Sequence, residues 1–285
     1  MNRRSFLKSC GTLILGTTLA GLGGGVYSTL LEPEWLAVER ISISLKHLSP
    51  ALHGLRLAQL SDLHLGTCTD PSFIKTVINK AAELDPDLVV LTGDYVYEQA
   101  DMVEQLGQLL EELSPPYGIW ACLGNHDYWT DAAVVRSGLE RAGVQVLVNE
   151  NHRISVGEAG LILAGLDDTW SGVPDLEQAL KGTLLDEPVV LLAHEPDPAD
   201  YLLQDERVGL QLSGHSHGGQ VRLPLIGAPV LPYLGSRYPA GLYNVHQGFL
   251  YVNRGVGMVP PGVRFNCRPE ITEITLQSSE VLAQV

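Results

Sequence analysis

The chain has 285 residues, 45% of them hydrophobic and 18% charged, with a formal net charge of −15. That length suits one large domain or two small ones with a substantial core, and the composition is that of an ordinary globular protein. The acidity argues against a nucleic-acid backbone as a general partner, and no internal repeat or low-complexity tract stands out.

The chain opens with Arg3, Arg4 and Lys8, then carries no charge until Glu32. A basic start followed by an apolar stretch reads as an export signal. The adjacent arginines followed by Phe6, Leu7 and Lys8 resemble a twin-arginine signal, with Asn2 where Ser or Thr is usual. A plain membrane anchor is the alternative. Ser9 to Leu31 is just long enough for a bilayer, which takes ~20 residues, but its glycines make it a poor span. Thr18 to Ala20 is a passable cleavage site. Residues 1–31 are therefore expected to be a signal or anchor and 32–285 a folded domain. The expected location is across or in the cytoplasmic membrane, on its periplasmic or extracytoplasmic side, with the twin-arginine machinery as a partner. Removing the leader takes away basic groups and no acidic ones, so charge alone would not dock the rest on anionic lipid. Of the cysteines, Cys10 lies in the leader and Cys68, Cys122 and Cys267 remain; no CxxC occurs. They read as structural, and export would allow one disulfide.

"ERISISLKHL" alternates Ile41, Ile43 and Leu45 with polar residues, the pattern of a half-buried strand. "LRLAQLSDLH" is a second strand that runs into polar residues. "PSFIKTVINKAAEL" has helical spacing, with Asp70 as N-cap and Pro71 in the first position. "DLVVLTGD" is a short apolar strand, "ADMVEQLGQLLEEL" a helix, "YGIWACLGNHD" a strand, and "DAAVVRSGLERAG" a helix closed by Gly143. The strands "RISV" and "LILAGLDD", the helix-like "DLEQAL" and the strands "PVVLLAHEP" and "VGLQLSGHSH" follow. This alternation, strand-rich in its second half, predicts an α/β protein with two sheets and helices outside. The polar ends of apolar strands should then line one rim, where ligands of open α/β sheets bind.

Those ends share a chemistry. Strand 55–60 leads to Asp62 and His64, strand 88–92 to Asp94, strand 117–123 to Asn125, His126 and Asp127, strand 189–193 to His194, and strand 208–212 to His215 and His217. The i, i+2 spacing of the last pair, leaving a strand, points both rings to one side. Alone, a His at a strand end is most often solvated or hydrogen-bonded, and GD or GN is most often a turn. Together, the ordered set of carboxylates, imidazoles and an amide, without a thiolate, suits hard or borderline divalent ions such as Mn, Fe or Zn. It is too large for one tetrahedral site, whereas two ions ~3.5–4 Å apart would use it and could clamp both oxygens of a phosphoryl displacement.

"SDLH", "TGDY", "GNHD", "AHEP" and "SGHSHGG" resemble the five motif blocks of the calcineurin-like metallophosphoesterases, over about residues 50 to 275. The resemblance implies a four-layer αββα sandwich of two mixed sheets flanked by helices, with a dinuclear centre at the strand ends of a catalytic domain spanning 32–285. It implies Asp62, His64, Asp94 and His217 as ligands of one ion, and Asp94, Asn125, His194 and His215 as ligands of the other. His126 would serve the leaving oxygen, and Asp127 would orient it or cap a turn. The reaction implied is hydrolysis of a phosphodiester or pyrophosphate bond by a metal-bridging hydroxide, with Mn2+ favoured and Fe or Zn2+ as alternatives. Protein phosphatases of this superfamily carry GDxxDR and GNHE, where this chain has "GDYVYE" and "GNHD". The arginine that grips a phosphomonoester there is missing. The sequence looks closer to the bacterial membrane-associated or exported branch, which includes phosphodiesterases and UDP-2,3-diacylglucosamine pyrophosphatases. A small or lipid-linked phosphoester is thus the expected substrate. A non-catalytic binding module is the other class, set against it by the filled ligand positions.

Weaker features remain. Asp167 and Asp168 sit at a strand end near the same rim. Arg254 and Arg264 could neutralise a phosphate. The apolar, proline-rich stretch from Arg222 to Gly235 could be a lid or lipid-touching loop, or a packed connection. His47, His53, His152 and His246 match no motif.

Overall fold

A computed structural model describes residues 23–283. The leader assignment for residues 1–22 therefore lies outside the described residues. Residues 23–31, counted with the leader from sequence, are helical here. Tyr27 packs edge-on against Phe265, and the Arg264 N–H donates to the Ser28 carbonyl at 2.9 Å. The buried Glu32 carboxylate accepts the backbone N–H groups of Asn266 and Cys267, so this segment is fastened to the domain that follows. No helix among the described residues is long and apolar enough to cross a membrane.

Two six-stranded mixed sheets form the frame. The first contains β1 (Ala37–Leu45), β2 (Arg56–Leu60), β3 (Leu88–Thr92), β4 (Ile119–Cys122), β5 (Gln145–Val146) and β12 (Glu270–Ser278), in the order β1-β12-β2-β3-β4-β5. The second contains β6 (Glu150–Val156), β7 (Ala159–Gly165), β8 (Val189–Leu192), β9 (Val208–Ser213), β10 (Gly241–Val245) and β11 (Gly248–Val252), in the order β10-β11-β9-β8-β7-β6. β2, β3 and β4 pair in parallel, as do β7, β8, β9 and β11. Parallel strands covered on both faces should read as unbroken apolar runs, and "LVVL" and "VVLL" do. Leu57, Leu88, Val90 and Trp120 of one sheet meet Leu163, Val190, Leu192 and Leu212 of the other in the layer between them.

The outer layers are unequal. α1 (Pro71–Glu83), α2 (Val103–Leu110) and α4 (Ala132–Arg141) cover the first sheet, while α3 (Asn125–Thr130) follows β4. In α1, Asp70 accepts the Ser72 N–H at 2.8 Å and Pro71 occupies the first turn, where its missing donor costs nothing. Its buried Phe73, Ile74, Val77, Ile78 and Ala81 recur at helical spacing and face the sheet. Asp131 caps α4 in the same way. The second sheet is covered by α5 (Leu176–Ala179) and α6 (Ala199–Leu202), four residues each, and by loops carrying Leu180 and Leu203; α7 (Ser279–Leu282) ends the described chain. The αββα layering expected from sequence is present, with a thin fourth layer.

No disulfide forms among the described residues: Cys68, Cys122 and Cys267 are all free thiols.

Candidate metal centre

Turns after β2, β3, β4, β8 and β9 deliver the predicted residues to one rim. Asp62, His64, Asp94, Asn125, His194, His215 and His217 are all buried there. Their backbones are strained. Asp62, His64, Asp94, His215 and His217 have φ between +42° and +67°, a left-handed region that costs a non-glycine residue about 1–2 kcal/mol. Strain of this kind persists where surrounding structure overdetermines it, and it gathers at functional sites. Neighbouring glycines make the crowding tolerable: a Cβ on Gly124 would collide with the Asp94 carboxylate, and one on Gly214 with that of Asp62.

The left-handed turns also alter the sequence expectation for the last pair. His215 and His217 do not continue β9, and their rings part. His217 joins Asp62 and His64, while His215 joins Asp94 and His194, each trio with ligand atoms within 4.8 Å of one another. In the first group, His217 Nε2 lies 3.3 Å from Asp62 Oδ1 and 3.0 Å from His64 Nε2. Asp94 Oδ2 stands between the groups, 3.5 Å from His64 Nε2 and 3.1 Å from His194 Nε2.

Several ligand tautomers are fixed from behind. His194 Nδ1–H donates to the Thr92 carbonyl at 2.6 Å, leaving Nε2 bare toward Asp94. His215 Nε2–H donates to the Tyr233 carbonyl at 2.7 Å, leaving Nδ1 toward the centre. Such back-bonding is the usual support of a metal-binding imidazole. Asp62 accepts the His215 N–H through both oxygens, at 3.0 and 3.1 Å, and Asp94 Oδ1 accepts the His126 N–H at 2.8 Å.

The donor set fits divalent cations. His194 Nε2 and Asn125 Oδ1 are buried without hydrogen-bond partners, which is rare for polar atoms unless something binds them. Burial would raise Asp94, but the imidazoles of His194, His64 and His126 outweigh it and hold the carboxyl well below its ordinary range. Asp62 is likewise lowered: burial opposes, and His217 and His194 prevail. Burial lowers His126, leaving its ring neutral at pH 7.

His126 is partly buried, its ring 4.7 Å from that of His64, 5.3 Å from Tyr97 and 4.6 Å from Trp129, centroid to centroid. With Asp94, Asn125, His215 and His217 it floors a cavity of about 530 Å³. The walls are apolar: Val221 and Pro229 to Pro232 on one side, Val259 to Pro261 and Val263 on another, and Trp129 and Trp170 at the mouth. Among the described residues, no Lys or Arg lines it.

The remaining candidates resolve differently. Asp127 does not orient His126. Its carboxylate accepts the N–H groups of Gly124, Asp94 and Tyr95, each at 2.9 Å, capping α3 and tying the turn after β4 to the turn after β3. Burial and then the Asp94 charge push it up to about 7. Asp168 holds a loop through one carboxylate oxygen. It accepts the Trp170 N–H at 3.1 Å and the Ser171 N–H at 2.5 Å, and burial and Glu195 raise it to about 8. Asp167 accepts the Tyr128 hydroxyl and the Val173 N–H. The two aspartates thus shape the loop that presents Trp170. Arg254 and Arg264 are also corrected. Arg254 pairs with Glu39 and Glu270, both at 2.6 Å. Arg264 is fully buried and donates to the carbonyls of Cys267, Arg254, Gly255 and Gly257 at 2.7–3.1 Å. Neither guanidinium is free for phosphate.

Residues not singled out from sequence include Trp129, Trp170, the Tyr233 carbonyl and the 259–263 wall. The apolar character of 222–235 was the one signal that pointed there.

Comparison with known proteins agrees with this geometry. The family model for calcineurin-like phosphoesterases matches residues 55–219, more than half of the chain. An uncharacterized metallophosphoesterase of Bacillus subtilis, YkuE, is 37% identical over 98% of this chain and 99% of its own length. The phosphodiesterase YaeI of Escherichia coli is 33% identical over 97% of this chain and 99% of its own. The UDP-2,3-diacylglucosamine pyrophosphatase LpxG of Chlamydia trachomatis is 30% identical over 86% of this chain and 91% of its own. With its motif residues gathered at one rim, the chain belongs to the calcineurin-like phosphoesterase family and is a metallophosphoesterase, a hydrolase.

Proposed function

We propose that the protein hydrolyses a phosphodiester or pyrophosphate bond at a centre of two divalent ions. The observation that carries this reading is Asp94 Oδ2, which belongs with His194 and His215 and also lies 3.5 Å from His64 Nε2 of the other trio. Asp62, His64, Asp94 and His217 would hold one ion, and Asp94, Asn125, His194 and His215 the other. Mn2+ is favoured; Fe or Zn2+ suits the same donors. When bound, such a pair supplies a water whose pKa falls toward ~7 and neutralises charge on the phosphoryl oxygens.

The protein's own residues do the rest. The carbonyls of Thr92 and Tyr233 keep the imidazoles of His194 and His215 in their ligating tautomers. Neutral His126, on the cavity floor, offers an N–H to the leaving oxygen. Among the described residues, a dianionic monoester would find no side-chain cation in this cavity, whereas a diester carries one charge fewer. That favours the diester.

The apolar walls favour a lipid-linked substrate. Cleavage of UDP-2,3-diacylglucosamine, the substrate class named for the Chlamydia relative, is a narrower reading; the leader opposes it, because nucleotide sugars are cytoplasmic. We place the protein on the extracytoplasmic side, delivered by the twin-arginine route and retained at the membrane, on the strength of Arg3, Arg4 and the apolar stretch after them. Fractionation tests the location. Mn-loaded protein should be screened against phosphomonoesters, diesters, nucleotide sugars and phospholipids. Diester or pyrophosphate cleavage is expected; a preference for monoesters would overturn the assignment.

A further inference from the structure

The segment after His217 leaves the metal rim and makes a tight turn at the surface, closed by the pairing of Leu223 with Gly227. Its tip is unusual. Leu225 is fully exposed and holds φ +67°, a conformation for which Gly or Asn is the ordinary choice. Ile226 is 73% exposed beside it, and Val230, whose segment walls the cavity, is 75% exposed. Neither packing nor backbone preference accounts for a branched apolar side chain at Leu225.

A second apolar surface adjoins this one. Val221, at the base of the turn, bridges to Phe265, and Phe265 packs on Tyr27. The helical segment that contains Tyr27 exposes Val26, Leu30 and Leu31. Pro261 lies in the wall of the catalytic cavity and also bounds a hollow lined by Leu30. The turn, the cavity and the N-terminal segment are thus neighbours, and the sequence that enters this face at Gly23 carries no charge after Lys8.

We propose that this face docks on a lipid bilayer, with Leu225 and Ile226 inserted and the cavity opening against the membrane surface. The driving force is apolar rather than ionic, because the chain carries a net charge of −15. Docking should therefore occur on neutral lipid and survive salt. The docking goes beyond the catalytic reading; only its purpose, handing a lipid-linked substrate to the metal rim, rests on that reading.

The test uses the full chain with Ile226→Trp and vesicles of phosphatidylcholine brominated in the acyl chains. Vesicles should quench the variant at least twofold more than the wild type, equally in 0.1 and 0.5 M NaCl. Leu225→Glu with Ile226→Glu should lower the rate on a phosphodiester embedded in those vesicles at least fivefold. A soluble chromogenic diester should be cleaved as before, which also reports that the variant is folded. Absence of added quenching overturns the docking whatever the activity. So does concentration-dependent self-association that the double variant abolishes, which would assign the face to a second copy of the chain. Quenching without turnover of any lipid diester leaves the docking standing and sinks the substrate reading instead.

Discussion

On the floor of the cavity, Asp94, Asn125, His215 and His217 stand on turns at the ends of strands that are paired on both sides. Across from them, Val221, Pro229 to Leu231 and Val259 to Val263 stand on segments with almost no regular structure. The floor is polar and strained, and its orphaned nitrogens and oxygens are buried. The wall is apolar, partly exposed and free of charge. The difference separates two tasks. The sheets hold the ligand atoms in set positions, which a metal site demands, while the wall needs only a shape and a polarity.

That contrast breaks if floor substitutions discriminate between substrates or if wall substitutions do not. The largest effect belongs to Asp94. Asp94→Ala should cut turnover of every phosphodiester by about 10³-fold or more and reduce the bound metal, as should a chelator. Turnover equal to wild type would end the two-ion reading. His126→Ala should lower kcat by about 10²–10⁴-fold on small and lipid-linked diesters alike. Metal content measured on the same sample should stay unchanged. Asp127→Ala strips partners from the Gly124, Asp94 and Tyr95 N–H groups and removes a helix cap, so chemical denaturation should show a loss of about 2–4 kcal/mol. An unchanged denaturation midpoint would leave the clamp without energetic weight. The smallest effect is on the wall. Leu231→Ala removes apolar contact surface, about 1–2 kcal/mol, and should raise KM roughly 5–30-fold for a long-chain diester only. An equal rise for a small soluble diester would show that floor and wall are not separable.

The floor was legible in the sequence because each residue there carries chemistry and follows a recognisable apolar strand. "SDLH" and "GNHD" announce both the turn and the ligand. The direction of the rings was not legible. The family resemblance assigned His215 and His217 to different ions, but strand spacing alone makes them neighbours on one face, and their left-handed backbone is what sends them to separate trios. Arg254 and Arg264 misled because a cation near a phosphate site has a ready use, while the carboxylates and carbonyls that occupy them come from distant or non-periodic segments such as Glu39 and Gly257. β12 is short of signal for a similar reason. "EITEITLQS" alternates as a strand should, yet it is inserted between β1 and β2, more than 200 residues upstream. The short helices over the second sheet, four residues each, leave little periodicity to read.

Arg264 has a consequence for how such enzymes could diverge. One guanidinium, with no carboxylate hydrogen-bonded to it, gathers carbonyls from residues 254, 255, 257 and 267. The segment that supplies Val259, Pro260, Pro261 and Val263 is thereby stapled through backbone oxygens, which every amino acid has. Its side chains are left out of the fastening. A lineage could exchange those side chains freely, and with them the molecule that fits, while the staple and the metal rim stay as they are. Substrate range in this architecture is then a matter of upholstery on a fixed chair.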